Sequence, residues 1–321
     1  MVVFSISMMS VICVIGLLCS VSALLVFSNS TFRRRLGVQG ICRQFAASGD
    51  FVMSSVVTPT CAWNLYKLAH SGYPPSATPR SVNYSIESIQ PLFTTQYLNA
   101  VGFFTALVIL WDPLSLIVAA VDRFFIIRQP LRYSHEKAKA LAARCIAVCA
   151  VFSIIVALLP IVLRIWRYNF FLSLIIFVDS EGAVVFLIVL ISSFLLFLWS
   201  ISIVSCKLSF GHAIDRGATD FTFEERLTRT LTIYVAVHTF LGAPLFISVC
   251  LMKFVHNVFD SNDPKEILQS TDFRVFTYIS VFLFQCNGII KFAVYNLRSI
   301  RFRRVLLQLP SHFNKKCRKI V

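Results

Sequence analysis

The sequence predicts an all-α membrane protein: a seven-transmembrane helix bundle followed by a short amphipathic cytoplasmic helix. Three observations predict it. Of the 321 residues, 57% are hydrophobic and only 14% are charged. Soluble domains carry about 25% charge, so this chain lacks the polar surface to cover a water-soluble body. Several apolar runs exceed the roughly 18 residues that read as a membrane span. Basic residues crowd the connections on one side of those runs, as they do in cytoplasmic loops.

The first apolar run, 2–28, has no positive residue before it. It is long, so it reads as a span and not as a cleaved leader, although Ser20-Val21-Ser22-Ala23 looks cleavable. Arg33-Arg34-Arg35 follow it, which puts the N-terminus outside. The second run, 41–66, holds one acid, Asp50. A polar loop, Lys67–Gln90, comes next, with Pro74, Pro75, Pro79 and the glycosylation sequon Asn83-Tyr84-Ser85. The third run, 91–127, carries Asp112 about three turns before Arg123. The fourth, 141–166, has Pro160 near its outer end.

Phe170–Val178 is apolar but too short to cross, and it is predicted to be a hydrophobic lid in the second outer loop. The fifth run is 183–206. Lys207–Glu225, with Gly211 and Gly217, reads as an inner loop. The sixth run, 227–252, contains Pro244, a bend that spanning helices tolerate. The seventh is 273–295. In 296–309, Arg298, Arg301, Arg303 and Arg304 alternate with Leu297, Ile300, Phe302, Val305 and Leu306, an amphipathic pattern. Residues 1–309 thus form the membrane domain and 310–321 a short basic tail.

On this topology 22 of the 30 Lys and Arg fall in inner segments and 7 in outer ones, with Lys291 inside a span. The asymmetry accounts for the net charge of +15. These residues face an anionic inner leaflet, so no nucleic-acid partner is needed. The ten Cys lie mostly in apolar runs and act as small hydrophobes. No Cys/His spacing suits a metal, and no cofactor motif is present. The absence of an internal repeat weighs against an inverted-repeat transporter.

At the end of the third run stands Asp122-Arg123-Phe124, then Ile127, then Pro130-Leu131-Arg132-Tyr133. This segment resembles the third-helix signature of rhodopsin-like G-protein-coupled receptors. Phe45-Ala46-Ala47-Ser48-Gly49-Asp50 is similar to the family's second-helix Leu-Ala-x-x-Asp. Pro244 resembles the sixth-helix proline, with Gly242 where an aromatic switch usually stands. Glu224 lies where many members keep an acid that pairs with the signature Arg. Lys291-Phe292-Ala293-Val294-Tyr295 stands in place of Asn-Pro-x-x-Tyr, and Asn287-Gly288 offers a second register. No cysteine pair suits the usual outer disulfide. Small size, 31 Phe and the altered seventh-helix motif together resemble a nematode serpentine chemoreceptor.

The resemblance implies a switch. Arg123 pairs at rest with Asp122 and Glu224, and is freed when the sixth helix swings out to admit a heterotrimeric G protein. For Glu224 a plain exposed acid is an equal reading. The resemblance also implies that Asp50, Asp112 and Lys291 meet near mid-membrane, where related receptors bind sodium. Either Lys291 pairs with the acids as a built-in cation, or it snorkels away and Asp112 holds a proton. A small-molecule pocket is implied at Phe104, Thr105, Ile109, Phe246, Tyr278 and Gln285. Thr105 stands where amine receptors carry Asp, and Gln285 where opsins carry the retinal Lys, which argues against both ligand classes. His238 reads as a core histidine. Cys317 is a candidate for palmitoylation or a free thiol.

The function implied is a plasma-membrane chemosensory receptor with a small-molecule ligand, a G protein and membrane lipid as partners. The runner-up is a transporter or channel relaying ions through Asp50, Asp112 and Lys291. No nucleophile–base pair points to an enzyme.

Overall fold

The computed structural model describes residues 2–70, 93–128, 134–163, 168–171, 174–177, 219–258 and 271–317, with short helical pairs between 188 and 199. The first helix, α1, is Val2–Ser28. Asn29 caps the short α2, Ser30–Leu36, by accepting the Phe32 N–H at 3.1 Å. Gly37 then turns the chain with φ of +62°, a conformation glycine adopts at little cost. Next come α3, Val38–Val52, a π-helical turn, Met53–Val57, and α4, Thr58–His70. These three run on from one another and cover the predicted second span. Pro59 has no N–H to give to the preceding turn, and the helix widens into its π-turn just before it. The hydroxyl of Thr58 donates to Met53 O at 3.0 Å across the wide turn.

The third long helix, α5, is Thr95–Arg128, and the fourth, α6, is His135–Leu163. A two-stranded antiparallel hairpin follows, β1 (Tyr168–Phe171) and β2 (Leu174–Phe177), with Tyr168 opposite Phe177. The predicted apolar lid is therefore a β-hairpin, the one departure from an all-α chain among the described residues. In the predicted fifth span, helical backbone is described at 188–189, 191–192, 195–196 and 198–199. The sixth helix, labelled α7, is Thr219–Val258 and begins eight residues before the predicted 227. That corrects the inner loop drawn through Glu225. No Gly or Pro interrupts 219–227, and Asp220, Glu224 and Glu225 favour the positive end of the helix dipole. The last two helices are α8, Thr271–Arg298, and α9, Ile300–Cys317.

Five of these helices, α1, α5, α6, α7 and α8, contain stretches long and apolar enough to cross a membrane. Their outer faces are apolar: Leu18, Val148, Val162 and Phe240 are each more than 60% exposed. Such faces belong in lipid and not in water.

Inside, the bundle has two apolar cores. One, toward the hairpin, joins Met53, Val57, Leu107, Ile109, Leu245, Phe246, Val281 and Phe284. The other, toward Arg123, joins Val26, Phe27, Ala47, Leu116, Ala119, Leu231, Val235 and Tyr295. At the Arg123 end α9 is pinned by Phe302, fully buried 5.6 Å from Phe27 and 5.7 Å from Tyr295, ring centre to ring centre. Arg301, Arg303 and Arg304 remain exposed.

The hairpin is pinned by Tyr168. Its hydroxyl donates to Ala157 O at 2.7 Å, and burial pushes its phenol above the ordinary tyrosine range. Its ring lies on Gly102 of α5, where an added Cβ would come within 2.2 Å of the ring. Gly102→Ala is expected to cost on the order of 1–3 kcal/mol in spite of the better helix propensity of Ala. In a Tyr168→Gly background, which also removes the Tyr168 Cβ at 2.8 Å, the same change is expected to be nearly neutral. Thermal unfolding of the four purified proteins checks this; additive losses would show that the ring does not press on Gly102.

Candidate functional site

Between the two cores lies a polar layer. Its groups stand on four helices, and on each helix the polar residue interrupts the apolar positions of both cores. Asp50 comes from α3, just before the π-turn. Asp112 comes from α5, one residue before Pro113. His238 comes from α7, and Asn287 and Lys291 from α8. All five are buried, with Lys291 1% and Asp112 5% exposed.

Lys291 Nζ donates to Asp50 Oδ1 at 3.1 Å and also to Asp112 Oδ2. Of the two alternatives left open for Lys291, this geometry is the paired one. Asn287 Nδ2 donates to Asp112 Oδ2 at 3.0 Å and lies 3.2 Å from His238 Nδ1. The amide carries two protons, one for each partner, an arrangement in which His238 Nδ1 accepts. His238 Nδ1 is 3.7 Å from Asp112 Oδ2. Gly288 permits the assembly: a Cβ there would lie 3.2 Å from Asp50 Cβ, Cγ and Oδ1. The layer can hold charge out of water only because each ion meets its opposite.

His238 and Asn287 are thus members of a site that the sequence reading confined to three residues. For Asn287 the signal was helical spacing: it lies one turn before Lys291 on the same face.

From Lys291 an aromatic ladder leads to the Arg123 end. Lys291 Nζ is 5.4 Å from the centre of the Tyr234 ring, Tyr234 is 5.2 Å from Tyr295, and Arg43 lies 4.8 Å over Tyr295. Cations over ring faces are attracted to them. Arg43, one of the basic residues of the inner segments, is 8% exposed and so does not face the leaflet. It precedes Asp50 by two turns, so it shares the buried face. Beside it Gln39 donates to Ala119 O at 3.0 Å.

At the end of α5, Asp122 Oδ2 accepts from Arg123 Nε at 3.2 Å and from Nη2 at 2.8 Å. Both side chains are 4% exposed, so the pair is buried and not at an open mouth. Phe124 packs on Trp199 at 5.6 Å. The backbone of Glu224 lies in α7 and that of Cys317 ends α9, but their side chains lie outside the described residues, as do Pro130, Tyr133 and Asn83 altogether.

Of the implied pocket residues, Thr105, Ile109, Phe246 and Gln285 are buried and Tyr278 is partly buried. Thr105 donates to Val101 O, its own helix. Both amide atoms of Gln285 are buried without a partner among the described residues. Phe104 is corrected: it is 37% exposed, because one residue rotates a helix by about 100° and Thr105 takes the inward position. Phe246 folds back over Gly242, where a Cβ would meet its ring at 3.2 Å. Its ring fills the space left by the missing aromatic switch.

Over residues 76–290 the chain matches the family of seven-transmembrane receptors of the rhodopsin type. That stretch is more than half of the chain, and the protein belongs to this family: it is a multi-pass membrane receptor of the G-protein-coupled class. No curated protein matches the chain. The family match takes in Asp112, Arg123, Pro244 and Asn287, while Asp50 and Lys291 lie beyond its two ends.

Removing Lys291 strands two buried carboxylates. Lys291→Ala is expected to cost about 3–5 kcal/mol. The triple variant Asp50→Asn, Asp112→Asn, Lys291→Ala is expected to regain most of that. Lys291→Asn, which opens a cation site and keeps a polar ligand, is expected to gain stability in sodium over choline, whereas the wild type is indifferent. Thermal unfolding in the two salts checks all three, and a Lys291→Ala protein as stable as wild type would refute the pairing.

Proposed function

We propose that the protein is a chemosensory receptor of the plasma membrane, with seven spans, its N-terminus outside and its C-terminus in the cytoplasm. A small molecule binding toward the hairpin end alters the packing of α7 against α5 and α8. The change frees Arg123 from Asp122 and opens the Arg123 end to a heterotrimeric G protein. The observation that carries this reading is the buried Asp122–Arg123 pair at the end of α5, in a chain of the rhodopsin family. Small size, the many Phe and the altered seventh-helix motif support a receptor of the nematode serpentine kind. Gln285, whose amide is buried without a partner among the described residues, supports a polar contact for the ligand.

The relay reading finds less support. On the hairpin side of the polar layer the buried residues include no acid, base or histidine among those described. A proton or ion relay needs such groups in sequence.

Arg123→Ala is expected to abolish signalling and leave surface expression largely intact. Glu224→Ala is expected to raise basal activity by loosening the same lock. Expression with a promiscuous G protein, screened against odorants and small metabolites, provides the readout; normal responses from Arg123→Ala would sink the proposal.

Orientation has its own test. Asn83 is expected to carry glycan, and Asn29, in the second sequon Asn29-Ser30-Thr31 at the inner end of the first span, none. Because Asn29 caps α2, the informative variant is Asn29→Asp, which removes the sequon and keeps the cap; losing the cap would cost about 1 kcal/mol. An endoglycosidase shift that disappears with Asn29→Asp and persists with Asn83→Gln would invert the topology.

A further inference from the structure

A cavity of about 680 Å³ opens between α5 and α6 at the Arg123 end. Its walls are apolar, built by Val118, Val121 and Phe125 from α5 and by Leu141, Cys145 and Val148 from α6. Several of these are widely exposed: Leu141 60%, Val148 67% and Phe125 46%. Two cations also line it, Lys137 and Arg144, seven residues and two turns apart on one face of α6. Both are exposed, and neither has an acid partner among the described residues. Asp122, the acid on the same wall, is engaged by Arg123.

Arg144 stands inside His135–Val162, a stretch apolar enough to cross a membrane. It lies toward the Arg123 end of that stretch, where a cation exposed on the outer face is met by water or by an anionic headgroup. Along α6 the two cations span about 10 Å at 1.5 Å per residue, and the apolar wall goes on past Arg144 through Cys145 and Val148, facing Val118 of α5.

We propose that this groove binds an anionic phospholipid. The headgroup phosphate is held between Lys137 and Arg144, and the start of an acyl chain leaves it along Cys145 and Val148 of α6 and Val118 of α5. The proposal rests on the orientation given above, which places this end in the inner leaflet, where anionic lipids concentrate. Charge complementarity sets the occupant: two cations with no acid partner among the described residues, beside an apolar groove, match one lipid with an anionic head and an apolar tail. The headgroup then sits on the wall that also carries Asp122, so lipid composition acts next to the switch pair.

The test is native mass spectrometry of the full-length receptor in detergent, offered dioleoylphosphatidylglycerol or dioleoylphosphatidylcholine at equal concentration. Retention of the glycerol lipid over the choline lipid is expected. Lys137→Gln/Arg144→Gln is expected to weaken phosphatidylglycerol binding about thirtyfold, from about fivefold per basic residue. Lys137→Arg/Arg144→Lys is expected to keep the preference, which separates loss of charge from loss of fold. Cys145→Trp, which fills the groove, is expected to lower the retention of both lipids. Equal retention of the two lipids by the wild type would overturn the proposal. So would a preference that survives the double Gln change or the Cys145→Trp change. The assay is blind to orientation, so its failure is distinct from failure of the topology, which the glycan shifts report.

Discussion

A single ammonium group ties three helices together. Lys291, from α8, reaches carboxylates on α3 and α5 at the same depth, and Asn287 extends the contact to His238 on α7. Each of these groups would be expensive to bury alone. Together they oblige four helices to meet in one register, because no member can slide without leaving an opposite charge unpaired. The two apolar cores contribute the larger share of the burial, but apolar contacts tolerate small shifts. The polar layer between them does not.

The charges inside the bundle also balance. Among the described residues the buried ionisable groups are Asp50, Asp112 and Asp122 against Arg43, Arg123 and Lys291, with His238 beside them. The chain as a whole carries +15, so that excess lies at its periphery. Within the bundle the polar layer holds one acid more than base, and the Arg123 end one base more than acid. Tyr234 and Tyr295 stand between the two groups, one on α7 and the other on α8. A displacement of α7 would separate those rings and be felt by Lys291 on one side and Arg43 on the other. That is a continuous chain of contacts between the middle of the bundle and its Arg123 end.

The two ends of the bundle are closed differently. Toward the hairpin, Tyr168 presses on Gly102 and Phe246 on Gly242, so each close approach uses the absence of a side chain. Toward Arg123, the closure is aromatic: Phe27, Tyr295 and Phe302 meet where α1, α8 and α9 converge. The groove between α5 and α6 breaks that closure on the lipid side, beside the Asp122–Arg123 pair.

Much of this was legible in the residues. Long apolar runs can satisfy their backbone groups in lipid only as helices, so the course of α1, α5, α6 and α8 followed from composition and length. Asp122-Arg123 and Lys291 stood out because charge within an apolar run is rare. Other features depend on contacts between segments distant in sequence. Phe104 and Thr105 are neighbours in the chain, and only the packing of α5 decides which one faces inward. His238, Arg43 and Asn287 look like ordinary polar residues until the fold sets them beside Asp112 and Tyr295. The hairpin could not be read from a nine-residue apolar stretch, because strand pairing is a property of two segments and not of one. Local chemistry selected the helices and the charged positions. Which charges became partners was decided by the register in which the helices pack, since an ion's cost in a low-dielectric interior is set by what lies within a few ångströms of it.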